Sequence, residues 1–334
     1  MTGAPRFQIR LIDDLGDHRQ LVALGQLADE LGFDSLMFPH SPFRANSWVL
    51  NAAIAQTTRR IQLSAAGPIH TTDPSEIATY VAALDELSGG RVSVRLGAHN
   101  FDTLTWTGLN GADVVQRVRE VAEILRRLFR GEAVPFDGEI YHWTPNAYLR
   151  FTPYRPVVPI WVTPIGDELL ELSGEIGDGT LPMVAPPESA GVIMRPIVRG
   201  LGRSADPGRP FEKCAFVWLA ISEDGDDARE MLKDIVAYYG TFLDPRAVAT
   251  IGLTLDDFRP AYERMVARDR AGARALVTPQ MLRTGIAGTP DECIRQLRII
   301  FDAGFDLVSL GGPLGADAGE AMRLVARKVI PAFR

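Results

Sequence analysis

Three of the chain's five histidines, His40, His70 and His99, each follow a short apolar run within the first hundred residues. The runs are Ser35-Leu36-Met37-Phe38, Arg60-Ile61-Gln62-Leu63-Ser64 and Arg91-Val92-Ser93-Val94-Arg95-Leu96. An imidazole titrates near neutrality and can give or take a proton, and several together can hold a metal. If the runs are consecutive parallel strands, all three histidines lie on one rim of one sheet, where α/β folds gather their chemistry. The metal use is disfavoured. The first strand lacks a His-x-His pair, no histidine follows the later strands, and no carboxylate follows the last strand before Asp317. No metal is expected, and proton transfer at His40 is weighed evenly against a structural hydrogen bond.

Small residues follow the same strands. Ser64-Ala65-Ala66-Gly67-Pro68 ends the third, and Gly97-Ala98-His99-Asn100 ends the fourth. Such runs let the backbone approach a flat ligand closely, or they simply make a tight loop. Thr163-Pro164-Ile165-Gly166-Asp167 ends the fifth strand and opens a helix. A helix start of this kind suits a phosphate, because free N–H groups point outward there; the plainer reading is a turn capped by Asp167. Small rim loops on several strands favour a large planar ligand that carries a phosphate.

The elements that must position these residues repeat. Strands are expected at Phe7–Ile12, 34–38, 60–64, 91–96, 159–162, 178–184, 213–221 and 306–310, with helices between them. The periodicity of Leu21, Leu24, Ala28 and Leu31 marks the first helix, stopped by Gly32. Eight alternating units running to the end of the chain predict a (β/α)8 TIM barrel rather than a doubly wound sheet. No G-x-G-x-x-G follows the first strand, which counts against a dinucleotide-binding domain. Residues 1–334 are read as one barrel domain with insertions at about 131–158 and 241–285. The first insertion is rich in Gly, Pro and aromatics, and is expected to be a hairpin over the barrel serving as lid or dimer surface. The second is expected to be helical.

The bulk numbers set limits. At 334 residues, 46% hydrophobic and 23% charged, the chain can bury a full core without staples. A net charge of −7 without a basic block argues against nucleic acid as a partner. The cysteines, Cys214 and Cys293, lie far apart, so no disulfide framework is expected and a cytoplasmic location fits. The N-terminus lacks a signal-peptide core, and no run reaches the ~18 apolar residues of a membrane span.

Several segments resemble one family. Ala28-Asp29-Glu30-Leu31-Gly32-Phe33-Asp34-Ser35, Leu84-Asp85-Glu86-Leu87-Ser88-Gly89-Gly90-Arg91 and Gly174-Glu175-Ile176-Gly177-Asp178-Gly179 are similar to stretches of the luciferase-like flavin and deazaflavin oxidoreductases. The most specific stretch is Ala287-Gly288-Thr289-Pro290-Asp291-Glu292-Cys293-Ile294, followed by Ala303-Gly304-Phe305-Asp306 and Gly311-Gly312-Pro313-Leu314-Gly315. It resembles the coenzyme F420-dependent methylenetetrahydromethanopterin reductases within that family.

The resemblance implies a luciferase-like barrel, usually a homodimer, with the ring of F420 or, alternatively, FMN in the barrel mouth. It implies a bulge after the third strand, often with a non-prolyl cis peptide, at Ser64-Ala65 or Ala65-Ala66. It assigns cofactor contacts to Ser64, Ala65 and Ala66, to Gly97, Ala98 and His99, and to Thr163, Pro164, Ile165 and Gly166. His40 matches the histidine of the family's Asp-His pair, and Pro39 replaces the aspartate. The family's first-strand glutamate falls at or near Arg10, which suits an anionic group better than an acid would. His70 is expected to line the entrance and contact substrate. The expected activity is F420-dependent hydride transfer between the deazaflavin and a small organic substrate, with His40 as catalytic residue, either the proton donor or the group that polarises the ring near the reacting carbon. The alternatives are an FMN-dependent monooxygenase and a catalytically silent barrel that binds such a ligand.

Overall fold

The computed structural model describes residues 4–97, 106–109 and 111–334. Strands and helices alternate: β1 (Arg6–Arg10), α1 (His18–Leu31), β2 (Ser35–Met37), α2 (Ser47–Thr57), β3 (Gln62–Pro68), α3 (Pro74–Ser88), β4 (Val92–Gly97) and α4 (Val114–Phe129). A hairpin of β5 (Phe136–Asp137) and β6 (His142–Trp143) follows. Next come β7 (Ile160–Thr163), α5 (Asp167–Ile176), β8 (Gly179–Thr180), α6 (Ala190–Leu201), β9 (Glu212–Ile221) and α7 (Gly225–Tyr239). The helices α8 (Pro245–Ala249), α9 (Leu255–Val266), α10 (Arg270–Leu276) and α11 (Pro279–Leu282) lead to β10 (Ile286–Gly288). The chain closes with α12 (Pro290–Asp302), β11 (Leu307–Leu314) and α13 (Ala318–Leu324).

The strands pair in the order β11-β1-β2-β3-β4-β7-β8-β9, and β9 returns to β11, so the sheet closes into a parallel barrel. Local chemistry starts and stops the helices. Asp17 and Gln20 form a capping box at α1, and Gly32 ends it in the left-handed region at φ 80°. Asp73 accepts the Ser75 N–H at the start of α3, with Pro74 in its first turn.

Several strands depart from expectation: β1 stops at Arg10 instead of Ile12, and β11 runs to Leu314 instead of 310. β3 runs to Pro68 rather than ending at Ser64, because its pairing with β4 stays in register from Leu63 to Pro68. The expected bulge and non-prolyl cis bond at 64–66 are therefore absent. The cis bonds among the described residues are Ala185-Pro186 and Gly312-Pro313, and the irregular register lies in β11, between Gly311 and Leu314. The expected strand at 178–184 shrinks to Gly179–Thr180, since Pro182 has no N–H for a ladder. β9, longer than β8, pairs at its upper end with β10, a strand the sequence reading missed.

The two insertions have different places. The Glu120 carboxylate of α4 accepts the backbone N–H groups of Glu139, Ile140 and Tyr141. Arg155 forms a two-pronged pair with the buried Asp85 of α3, both contacts at 2.8 Å. Residues 131–158 are thus held against the outer wall and contribute nothing to the cavity described below, contrary to a lid over the barrel. Residues 241–285 pack on α7 through their own apolar cluster, including Leu232, Val248, Ile251 and Phe258. Gly240 is required there: a Cβ would lie 2.1 Å from the Phe258 ring. Among the described residues, no helix is long and apolar enough to cross a membrane.

Candidate active site

A cavity of about 1120 Å³ opens at the carboxyl rim of the barrel. Its floor and walls come from strand ends, among them Arg10, Ala66, Arg95, Gly97 and Phe216. Its roof comes from α7 and the second insertion, through Tyr238, Tyr239, Phe242 and Arg270. The volume suits a tricyclic ring with a side chain better than a metabolite of a few atoms.

His40 enters this cavity from the loop after β2. Asn46 caps α2 by accepting the N–H groups of Trp48 and Val49, and the capped turn presents two side chains to the imidazole. The buried Ser47 hydroxyl lies 2.9 Å from His40 Nδ1. The Trp48 ring lies 5.2 Å from the imidazole and stacks at 4.5 Å on Tyr80. Trp48 Nε1 donates to the Ala66 carbonyl at 3.0 Å, tying this aromatic stack to β3. Burial lowers the His40 pKa, so the imidazole is neutral at physiological pH.

The floor is cationic. Arg10 lies with its guanidinium carbon 4.6 Å above the Phe216 ring, beside Gly311, where any Cβ would lie 2.4 Å from that ring. Burial lowers its pKa to about 10, and the nearby Arg44 adds to the effect against Tyr239, Asp14 and Asp13. Arg95 is 5% exposed and donates to the carbonyls of Phe38 and Ser64 at 3.1 and 2.9 Å, while its Nε has no partner. Burial, then Arg10, lower its pKa to about 9. Both remain charged at neutral pH.

Arg44, by contrast, is neutralised. It meets Asp13 at 2.5 Å and Asp14 at 3.4 Å, and reaches the Tyr239 hydroxyl at 3.5 Å. Burial works against its charge, but the Asp13 hydrogen bond and the surrounding negative groups raise its pKa above the usual arginine value.

The remaining expected residues scatter. Ala66, Gly97 and the whole of Thr163–Gly166 line the cavity. Ser64 and Ala65 do not: they sit inside the longer β3, Ala65 in the apolar core and Ser64 buried below Ala66. His70 is also outside the lining. Two turns, Thr71 and Thr72 N–H to the Pro68 carbonyl, carry it past the rim, where its Nε2 lies 3.4 Å from the Ala112 carbonyl. Ala98 and His99 lie outside the described residues. Asp167 is not the cap of α5. Gly166, at φ 79°, holds that place without a side-chain bond, and Asp167 pairs with Arg246 instead.

Sequence reasoning missed Arg95, Phe216, Arg44 and the two tyrosines. Arg95 left a signal: it is a charge within a mostly apolar strand, two positions before the rim residue Gly97, so it shares that residue's face. The tyrosines left none, because only the return of α7 over the barrel brings them to the mouth.

A closed parallel barrel with a large polar-floored cavity at its carboxyl rim is the architecture of a (β/α)8 enzyme. The chain belongs to the luciferase-like monooxygenase family, whose sequence pattern matches residues 6–307. It is 28% identical over 336 residues to a 5,10-methylenetetrahydromethanopterin reductase of Archaeoglobus fulgidus, covering 98% of this chain and 100% of that one. It is 24% identical over 338 residues to an F420-dependent glucose-6-phosphate dehydrogenase of Gordonia bronchialis, covering 95% and 94%. Among solved structures, the coenzyme F420-dependent tetrahydromethanopterin reductase of Methanopyrus kandleri superposes with a TM-score of 0.91 at 24% identity, covering 99% of this chain and 100% of that one.

Proposed function

We propose that this protein is a coenzyme F420-dependent oxidoreductase that moves a hydride between the deazaflavin and a small organic substrate. The observation that carries the reading is full-length similarity to several F420-dependent enzymes, joined to a rim cavity of about 1120 Å³. The residues present fit such a cofactor. Gly97 leaves a cradle that a Cβ would fill, 3.0 Å from Thr163, and Gly166 leaves the first turn of α5 without a side-chain cap. Thr163–Gly166 and Gly97 would hold the phosphate, and Ala66 would back the ring, held in place by Trp48.

A bound deazaflavin supplies a two-electron hydride donor or acceptor at its ring carbon C5. The chain's own residues orient it and exclude water. His40, fixed through Nδ1 by Ser47, would exchange a proton with the reacting substrate; its lowered pKa favours the neutral, proton-accepting form at pH 7. Arg10 would hold an anionic group on the floor. We further read residues 1–334 as one barrel unit with two insertions, acting as a homodimer in the cytoplasm. The two buried, unpaired cysteines are consistent with that compartment.

The test is direct. Purified protein titrated with F420 should quench the cofactor's fluorescence at micromolar concentrations, and FMN should bind at least ten-fold more weakly. Tighter FMN binding with oxygen consumption would replace this reading with a flavin monooxygenase.

A further inference from the structure

The barrel floor holds two guanidinium groups that form no ion pair with any carboxylate of the described residues. The Arg10 guanidinium makes no ion pair or hydrogen bond to another described residue, only its contact with Phe216. Arg95 is 5% exposed, spends one nitrogen on two carbonyls and leaves Nε unpartnered, and lines the same cavity. The nearest acids, Asp13 and Asp14, face Arg44 instead, and Asp14 is 69% exposed, so water screens it. Unpaired charges are costly to bury, and two of like sign near each other more so. A planar guanidinium fork matches the two oxygens of a delocalised oxyanion.

We propose that Arg10 and Arg95 form an anion seat on the cavity floor that takes one delocalised oxyanion of a bound ligand. That oxyanion is either a carboxylate of the substrate or the anionic edge of the deazaflavin ring. The inference rests on the F420 reading for the second source only. In the first, the substrate class is a carboxylate, and under the hydride-transfer reading an unsaturated one, since the hydride needs an acceptor carbon.

The experiment uses cinnamate and its neutral isostere cinnamamide, titrated calorimetrically into cofactor-free protein. Cinnamate should bind at least ten-fold more tightly than cinnamamide, with affinity falling as salt rises. Arg10→Met should abolish the difference without lowering the thermal midpoint, because it breaks no hydrogen bond, and the relief of like-charge repulsion with a thioether packed on Phe216 offsets the lost cation–π contact. Arg10→Lys should keep part of the discrimination, since it keeps the charge and loses the fork. Repeating the titration with F420 bound separates the sources. Retained discrimination assigns the seat to substrate. Loss of cinnamate binding, together with weaker F420 binding by Arg10→Met, assigns it to the ring. Equal affinities in the wild type, or a difference that survives Arg10→Met, overturns the proposal. A failure of F420 to bind would sink the functional reading and leave the cofactor-free result standing.

Discussion

His40 and Ser47 are joined by a 2.9 Å contact between imidazole Nδ1 and the hydroxyl, across the loop between β2 and α2. Ser47 is wholly buried in the first turn of a helix capped by Asn46, so the imidazole is anchored to secondary structure rather than to a loop. That anchoring makes a split prediction. His40→Gln should lower turnover by ~10²–10⁴-fold, the usual range for a lost acid–base group, with cofactor affinity within two-fold of wild type. Ser47→Ala should cost less, about ten-fold, and should move the acid limb of the kcat/KM profile. Steady-state kinetics with any acceptor the wild type reduces, alongside fluorescence titration, measures both. Unchanged turnover in His40→Gln would falsify the catalytic assignment.

Acid should destabilise the fold in a window these histidines set. Burial lowers the pKa of His40 and of His70 below the ordinary value. Near pH ~6.5 the unfolded chain begins to take up protons that the folded chain refuses. The unfolded state then binds more protons, so stability rises with pH and is lost as pH falls from about 7 towards the lowered folded pKa values. Thermal midpoints recorded from pH 8 to pH 5 should show this decline. His40→Gln and His70→Gln should each flatten it, and an identical decline in the double variant would count against the cause.

The hairpin insertion should matter for stability and not for the ligand. Arg155 reaches Asp85, whose side chain is 1% exposed, in a two-pronged pair. Arg155→Met leaves that carboxylate buried and alone, a loss of ~3–5 kcal/mol. Urea unfolding measures the loss, and F420 affinity of the folded fraction should be unchanged. Weakened affinity in this variant would mean that the outer wall does reach the site.

The helical insertion should behave in the opposite way. Phe258, on α9, is fully buried against Gly240 in the apolar cluster that packs residues 241–285 on α7. Phe258→Ala should cost ~3–5 kcal/mol and also weaken cofactor binding, because Tyr239 packs on the same cluster and loses part of its support. Hydrogen exchange should rise first in residues 241–285. Protection unchanged there, with loss elsewhere, would contradict the separate core.

Arg44 links three parts of the mouth: Asp13 and Asp14 after β1, its own loop after β2, and Tyr239 at the end of α7. Arg44→Met should destabilise by ~1–2 kcal/mol, discounted for partial exposure, and should raise the Asp13 pKa, which the Arg44 hydrogen bond now holds low against burial. Carbon-detected NMR titration of Asp13 reads that shift, and an unmoved Asp13 would deny Arg44 the role.

The sequence alone determined the barrel, because short apolar runs, helical periodicity and Gly stops are local signals that each segment carries for itself. It also placed His40, Gly97 and Thr163–Gly166 at the right end, since a residue just after a parallel strand must lie at the carboxyl rim; Arg10 was reached only through the family resemblance. Only the tertiary structure decided the rest. How far β3 extends depends on its register with β4, which moved Ser64 and Ala65 below the cavity and His70 beyond it. Which insertion covers the mouth depends on docking, and the buried Asp85 and Glu120 took the aromatic hairpin to the outer wall. Arg10, Arg95 and Phe216 come from β1, β4 and β9, far apart along the chain, and only barrel closure makes them one floor.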